Sequence, residues 1–190
     1  GDACLRLREA LDAEQLDAAL ENARRRLLDA SGRAEALAVE GPLAAAVRGG
    51  LKCVYRRNRQ AWPAAFAEGR AEAFHEWRKR AKYHRYHVAL LRPAWKKPLK
   101  GREEALHDLT DLLGLEHDLS DLDRAFDAHA TWFDEAAVVR TRALVSRRRA
   151  ELRAAARAEA LRAFCERPGR FTARLGSYLR AGAESAPVDA

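Results

Sequence analysis

Between Phe74 and Leu91, apolar side chains return at steps of three and four: Phe74, Trp77, Ala81, His84, Val88 and Leu91. On a helix turning roughly 100° per residue, these residues share one side. His75, Arg78, Lys79, Lys82, Arg85 and Tyr86 fall on the other side, within an arc of about 120°. A segment with one apolar and one polar stripe at this period is a helix packed on one face. Alternation of the strand kind is absent along the chain, Ala, Arg, Leu and Glu dominate, and β-branched residues are sparse. The economical fold is all-α, a bundle of long antiparallel helices.

A pass along the chain divides it into helices at its glycines and prolines. Residues 2–30 read as helix, with Leu16, Leu20 and Leu27 on one side. Ser31-Gly32 and Gly41-Pro42 punctuate the next stretch, and Gly49-Gly50 breaks or kinks the chain. A helix from about Leu51 to Ala61 is expected to stop at Trp62-Pro63, and the next, from about Arg70 to Leu91, at Arg92-Pro93. Pro98 to Gly101 read as a loop. A helical region then starts near Arg102, with Gly114 as a break before Leu115, Leu119, Leu122 and Phe126. Helices from Glu135 to Cys165 and from Thr172 to Ala181 complete the set, followed by a loose tail. The 190 residues suffice for one sizeable core, so a single domain over 1–182 with a tail over 183–190 is expected.

The net charge of +7 is unevenly spread. Residues 48–102 hold 16 basic and 3 acidic residues, whereas residues 103–135 hold 1 basic and 11 acidic. Such segregation points to a positive surface for an acidic ligand, beside an acidic element that either restrains it or neutralises it across helix contacts.

The basic residues form stripes. Like charges three and four apart destabilise an isolated helix by a few tenths of a kcal/mol per pair, so the uninterrupted ladder on the Phe74–Leu91 helix calls for a bound anion. Each turn rises about 5.4 Å, which lets successive cations meet successive phosphates of an extended chain. Arg offers a fork to phosphate oxygens, Lys a mobile charge and Tyr86 a neutral donor. Arg48, Lys52, Arg56 and Arg59 form a second stripe on the preceding helix, and Arg142, Arg149, Arg153 and Arg157 a third near the C-terminus. Three such stripes can converge on one basin.

Other features exclude function classes. Cys4, Cys53 and Cys165 are odd in number and far apart, which fits a reducing compartment better than a disulfide framework. No apolar run of about 18 residues suggests a membrane span. Gly1 and the absence of Met are what a fragment or a processed chain would show. The six histidines do not stand at metal-ligand spacing. His84 projects to the apolar side, where a packed or hydrogen-bonded role is expected, and His75 alone sits in the cationic arc. Beside phosphate, the charged form of His75 would be favoured, so binding should strengthen at mildly acidic pH. Neither a carboxylate pair nor an activated nucleophile accompanies the cations, so no catalysis and no cofactor is expected.

The pattern His75-x-x-Arg78-Lys79-x-x-Lys82-x-x-Arg85-Tyr86 resembles the signature of the CHAD domain, the conserved histidine α-helical domain. Tyr55-Arg56-Arg57-Asn58-Arg59 is similar to that family's Y-R-x-x-R helix, and Leu113-Gly114-Leu115-Glu116-His117-Asp118-Leu119 to its L-G-x-x-H-D-L element. The resemblance spans about residues 45–180, corresponding to the second of two related half-domains, and no His-x-x-Arg motif stands in residues 1–47.

The resemblance implies helices around a basic central cavity and binding of inorganic polyphosphate, often in bacteria and sometimes at polyphosphate granules, while the cysteines point to the cytoplasm. His75, Arg78, Lys79, Lys82, Arg85 and Tyr86 would line the cavity with Arg56 and Arg59 opposite; Asp118 and His117, read from their place near Gly114, either position a cavity cation or serve as capping or solvated groups. Lys52, Arg48, Arg149 and Arg153 join the expected binding set through their stripes. The E-x-E-x-K motif of the triphosphate tunnel domain often fused to this family is absent. Two alternatives come from other classes: nucleic-acid binding, chiefly RNA, through the same cations with Tyr83, Tyr86 and Trp77 as stacking platforms, and a helical scaffold that docks an acidic protein.

Overall fold

A computed structural model of the chain describes residues 13–36 and 43–184. The chain divides into two compact units, Gly1–Gly41 and Pro42–Ala190. In the first, one helix is described, α1 (Ala13–Glu35), with Leu16, Leu20, Leu27 and Leu28 exposed. Ser31 and Gly32 lie inside α1 rather than ending it. The Gly41-Pro42 punctuation, the start of the expected first helix and the residues beyond 184 lie outside the described residues.

The second unit is an all-α bundle: α2 (Leu43–Glu68), α3 (Ala71–Leu91), a 3-10 turn (Arg92–Ala94), α4 (Lys96–Ala128), a second turn (Ala130–Trp132), α5 (Glu135–Ala163) and α6 (Pro168–Glu184). No strand occurs among the described residues. Helix α3 packs between α2 and α4, α5 lies along α4, and α6 packs against α2 and the 92–94 turn.

The boundaries follow local chemistry where a glycine or a cap is free to act. Gly69, at φ 69°, donates its N–H to the Ala65 carbonyl and turns the chain from α2 into α3. Asp134 caps α5 by accepting the Ala137 N–H at 2.8 Å.

Four expected breaks are instead helical. Gly49-Gly50 and Trp62-Pro63 lie within α2, and Gly114 within α4. The interior Pro63 costs about 3 kcal/mol of helix propensity. Burial of Ala65 and the edge-to-face contact of Phe66 with Phe74 at 5.2 Å offset that cost. Pro98 falls in the first turn of α4, where an N–H has no intrahelical partner to lose. No loop therefore forms at 98–101.

The core forms where the Phe74–Leu91 pattern placed it. Phe74, Trp77, Ala81, His84 and Val88 are all buried on α3. Leu99, Leu106, Leu109 and Leu113 of α4, Tyr55 of α2, and Phe164, Phe171 and Leu175 near the C-terminus join them. Tyr55 stacks on Phe171 with ring centres 4.1 Å apart, and its hydroxyl donates to the Glu166 carbonyl at 3.2 Å. Arg102 lies 4.4 Å over Phe171 and donates to the Ala163 carbonyl at 2.7 Å. The interior of this unit is thus largely apolar and aromatic.

Two polar groups sit inside this core. Glu116 falls in register with Leu106, Leu109, Leu113 and Ser120 on the buried face of α4. One of its oxygens, Oε1, accepts bonds from Arg149 at 2.9 Å and from Arg153 at 2.7 Å. Its side chain is 2% exposed, against 17% and 22% for the two arginines. His84 is fully buried among Tyr55, Phe164 and Phe171, and neither ring nitrogen has a hydrogen-bond partner. Burial, helped by the charges of Arg102 and His87, pushes its imidazole well below the ordinary histidine range.

Each group yields a stability prediction. Removing one member of a buried ion pair typically costs about 3–5 kcal/mol, because the partner charge stays buried. Glu116→Gln should therefore lower the unfolding free energy by roughly 3 kcal/mol. Arg149→Met should cost clearly less, since Arg153 still neutralises the carboxylate; denaturant titration measures both. For His84, the unfolded chain takes up a proton below about pH 6.5 that the folded imidazole refuses. Stability is therefore fully present above that pH and falls below it, by up to about 1.4 kcal/mol per pH unit. His84→Phe should flatten that decline, as thermal melts between about pH 7 and 5 would show.

Candidate anion-binding groove

The cationic arc of α3 turns toward α4 along its inner edge. Arg78, Lys82 and Arg85 stand at steps of four and three, which spreads them over about 10 Å of helix axis, and all three are half-buried. The Arg78 guanidinium lies over the bare backbone of Gly114, where a Cβ would sit 3.7 Å from Nε. Its Nε is buried without a hydrogen-bond partner. Arg85 reaches the His107 ring nitrogen Nδ1 at 3.0 Å and donates weakly to the Thr110 hydroxyl at 3.4 Å. Lys82 makes no hydrogen bond or ion pair with any described residue.

The outer edge of the arc differs. Lys79 is ion-paired with Glu76 on its own helix, and that pair holds the Glu76 carboxyl below the usual range. Tyr86 is exposed, with the Arg85 guanidinium 5.2 Å from its ring centre.

At the N-terminal end of α3, His75 meets His117 of α4 with ring centres 4.4 Å apart. His117 Nε2 lies 3.6 Å from an Asp121 oxygen. A cleft of about 270 Å³ opens beside them, lined by Glu72, His75, Glu76, His117 and Arg124. Burial lowers the pKa of His75, and the neighbouring His117, Lys79 and Arg78 lower it further. In the unliganded groove the neutral ring is therefore favoured, and an approaching anion acts in the opposite direction.

The acidic residues of α4 do not neutralise this ladder. Glu116 takes Arg149 and Arg153, Asp123 and Asp127 take Arg142, Asp121 takes Arg124, and Glu103 takes Arg92. Among the described residues, no carboxylate pairs with Arg78, Lys82 or Arg85.

Several expected site residues stand elsewhere. Arg149 and Arg153 point inward to Glu116, with Arg153 also donating to the Gly69 carbonyl at 3.0 Å and covering the Phe74 ring at 4.0 Å. The donors of these two arginines are thus engaged by Glu116 and the Gly69 carbonyl. Asp118 is exposed and bonds to no described cation, so the positioning carboxylate of this region is Glu116, two residues earlier. The signal for Glu116 was present in the chain, since it continues the apolar 3-4 spacing of α4. Arg48 lies against α6, on the side of α2 away from α3, while Lys52 and Arg56 are exposed and Arg59 half-buried.

No group of three or more His, Cys, Asp or Glu side chains fit to hold a metal ion occurs among the described residues. No described helix is long and apolar enough to cross a membrane.

The CHAD domain model matches residues 1–127, including the stretch before residue 45 and ending before α5. No curated protein and no solved structure matches the chain. The family match over two thirds of the chain agrees with the motifs on α2, α3 and α4 and with the helical bundle that carries them. This chain belongs to the CHAD domain family.

Proposed function

We propose that the chain binds inorganic polyphosphate without catalysis, along the groove between α3 and α4. One observation carries the reading: Arg78, Lys82 and Arg85 form a row of cations free of carboxylate partners beside a helix most of whose acids are engaged elsewhere. Holding three like charges in one row is unfavourable in the empty protein, and a polyanion relieves it. A phosphate chain offers a charge at every repeat and no base to read, so a row of forks and point charges is sufficient. Tyr86 at the rim adds a neutral donor, and His75 adds a charge when protonated. Binding of this kind would take the chain to polyphosphate granules in cells that form them.

RNA is the second reading, favoured by the exposure of Tyr83 and Tyr86. Trp77 is fully buried and unavailable for stacking. In direct competition, polyphosphate should displace RNA at a lower concentration of phosphate; the reverse order would favour RNA.

Charge reversal at Arg78 or Lys82 should weaken polyphosphate binding about tenfold or more, roughly 1.4 kcal/mol each, with the helical circular dichroism signal unchanged. Lys79→Glu should cost less, because that charge is already paired with Glu76. With about three phosphates neutralised, log K should fall against log salt with a slope near −2, by analogy with single strands; a flat response would contradict the groove. Release of orthophosphate from the polymer in the presence of Mg²⁺ would contradict the non-catalytic reading.

The bound anion favours the charged imidazole of His75, so affinity should rise as pH falls from about 7.5 to 5.5. His75→Gln should remove most of that rise in calorimetric titrations.

A further inference from the structure

A second cavity lies on the opposite flank of α2. It measures about 380 Å³ between α2 and α6, within the range of roughly 300–1,000 Å³ usual for small-molecule sites. Arg48 lines it from α2, and Arg180, Ser177 and Thr172 from α6, over the small residues Ala173 and Gly176. No carboxylate lines it. Arg48 makes no hydrogen bond or ion pair with any described residue, so its donors are free.

Arg180, exposed like Arg48, is oriented by one hydrogen bond. Its Nη2 donates to the Ser177 hydroxyl at 3.1 Å, and Ser177 in turn donates to the Ala173 carbonyl at 3.3 Å. Gly176 makes room for the guanidinium, since a Cβ there would stand 3.7 Å from Nη1. The fork is thus oriented by a neutral hydroxyl of its own helix, with no carboxylate partner and donors left over for a ligand. The Thr172 hydroxyl is turned back to the Pro168 carbonyl at 3.0 Å and does not add a donor.

We infer that this cavity is a separate binding site for a small phosphate-type oxyanion, a diphosphate in its simplest form, gripped between Arg48 and Arg180. Two guanidinium groups on facing helices, with no acid between them, match the oxygens of a compact dianion by paired N–H···O bonds. The lining is too short for a long polymer to follow. The site goes beyond the α3/α4 groove: it uses a different side of α2, and α6 lies outside the segment matched by the family.

Calorimetry of the full chain with pyrophosphate, at constant ionic strength, tests the site. One equivalent should bind, and Arg48→Ala and Arg180→Ala should each weaken it about tenfold or more. Arg48→Lys and Arg180→Lys, which keep the charge and lose the fork, should give smaller losses and exclude unfolding as the cause. Arg78→Glu with Lys82→Glu should leave pyrophosphate binding within about twofold while weakening the long polymer. Absence of pyrophosphate binding, or a loss that follows Arg78 and Lys82 and ignores Arg48 and Arg180, overturns the second site and leaves the α3/α4 groove standing. An effect of Arg48→Ala seen only with long chains also overturns it, because the cavity would then be part of a polymer track.

Discussion

The buried carboxylate of Glu116 is the interaction on which the rest of the arrangement depends. It sits on the core face of α4 and draws two arginines of α5 inward, which fixes the register of α5 against α4. Arg153 then extends the link to the carbonyl of Gly69, at the turn between α2 and α3, and to the ring of Phe74. One charge inside the bundle thereby ties three parts of the chain together. A single carboxylate shared between two guanidinium groups leaves a net positive charge, which their partial exposure to water makes tolerable.

That arrangement also decides where charge remains available. The chain pairs its acidic segment mostly with α5 and with nearby residues of α4 itself. Opposite blocks do neutralise each other, but between α4 and α5. Helix α3 keeps its inner cations Arg78, Lys82 and Arg85 without carboxylate partners among the described residues, and Arg48 of α2 lies beside α6. The orphaned polar atoms point the same way: Arg78 Nε and His75 Nδ1 are buried donors or acceptors left without partners in the proposed groove.

Much of the fold was legible in the chain. The 3-4 spacing of Phe74, Trp77, Ala81, His84 and Val88 identified both the helix and its buried face, and those five residues are the ones buried on α3. The stop at Arg92-Pro93 was also legible as a change of element. Pro98 falls in a first turn that tolerates proline, and the misplaced breaks at Gly49-Gly50, Trp62-Pro63 and Gly114 share another cause. Local propensity disfavours helix there by a few kcal/mol at most, and packing of the flanking residues outweighs it. In the site, Arg78, Lys82 and Arg85 were legible as a ladder, whereas the fates of Arg149, Arg153 and Asp118 were not. A spacing of four shows which residues share a face, but not which neighbour that face meets.

The sequence by itself determined the helical class, the two-faced character of α3, the segregation of charge and the family motifs, because each depends on residues within a few turns of one another. Only the tertiary structure decided which basic stripes are free and which are consumed. That outcome rests on contacts between residues 33 and 37 positions apart, Glu116 with Arg149 and Arg153, and on α3 lying between α2 and α4. Pairing of charges depends on distance in space, and no periodicity along one helix encodes the approach of another.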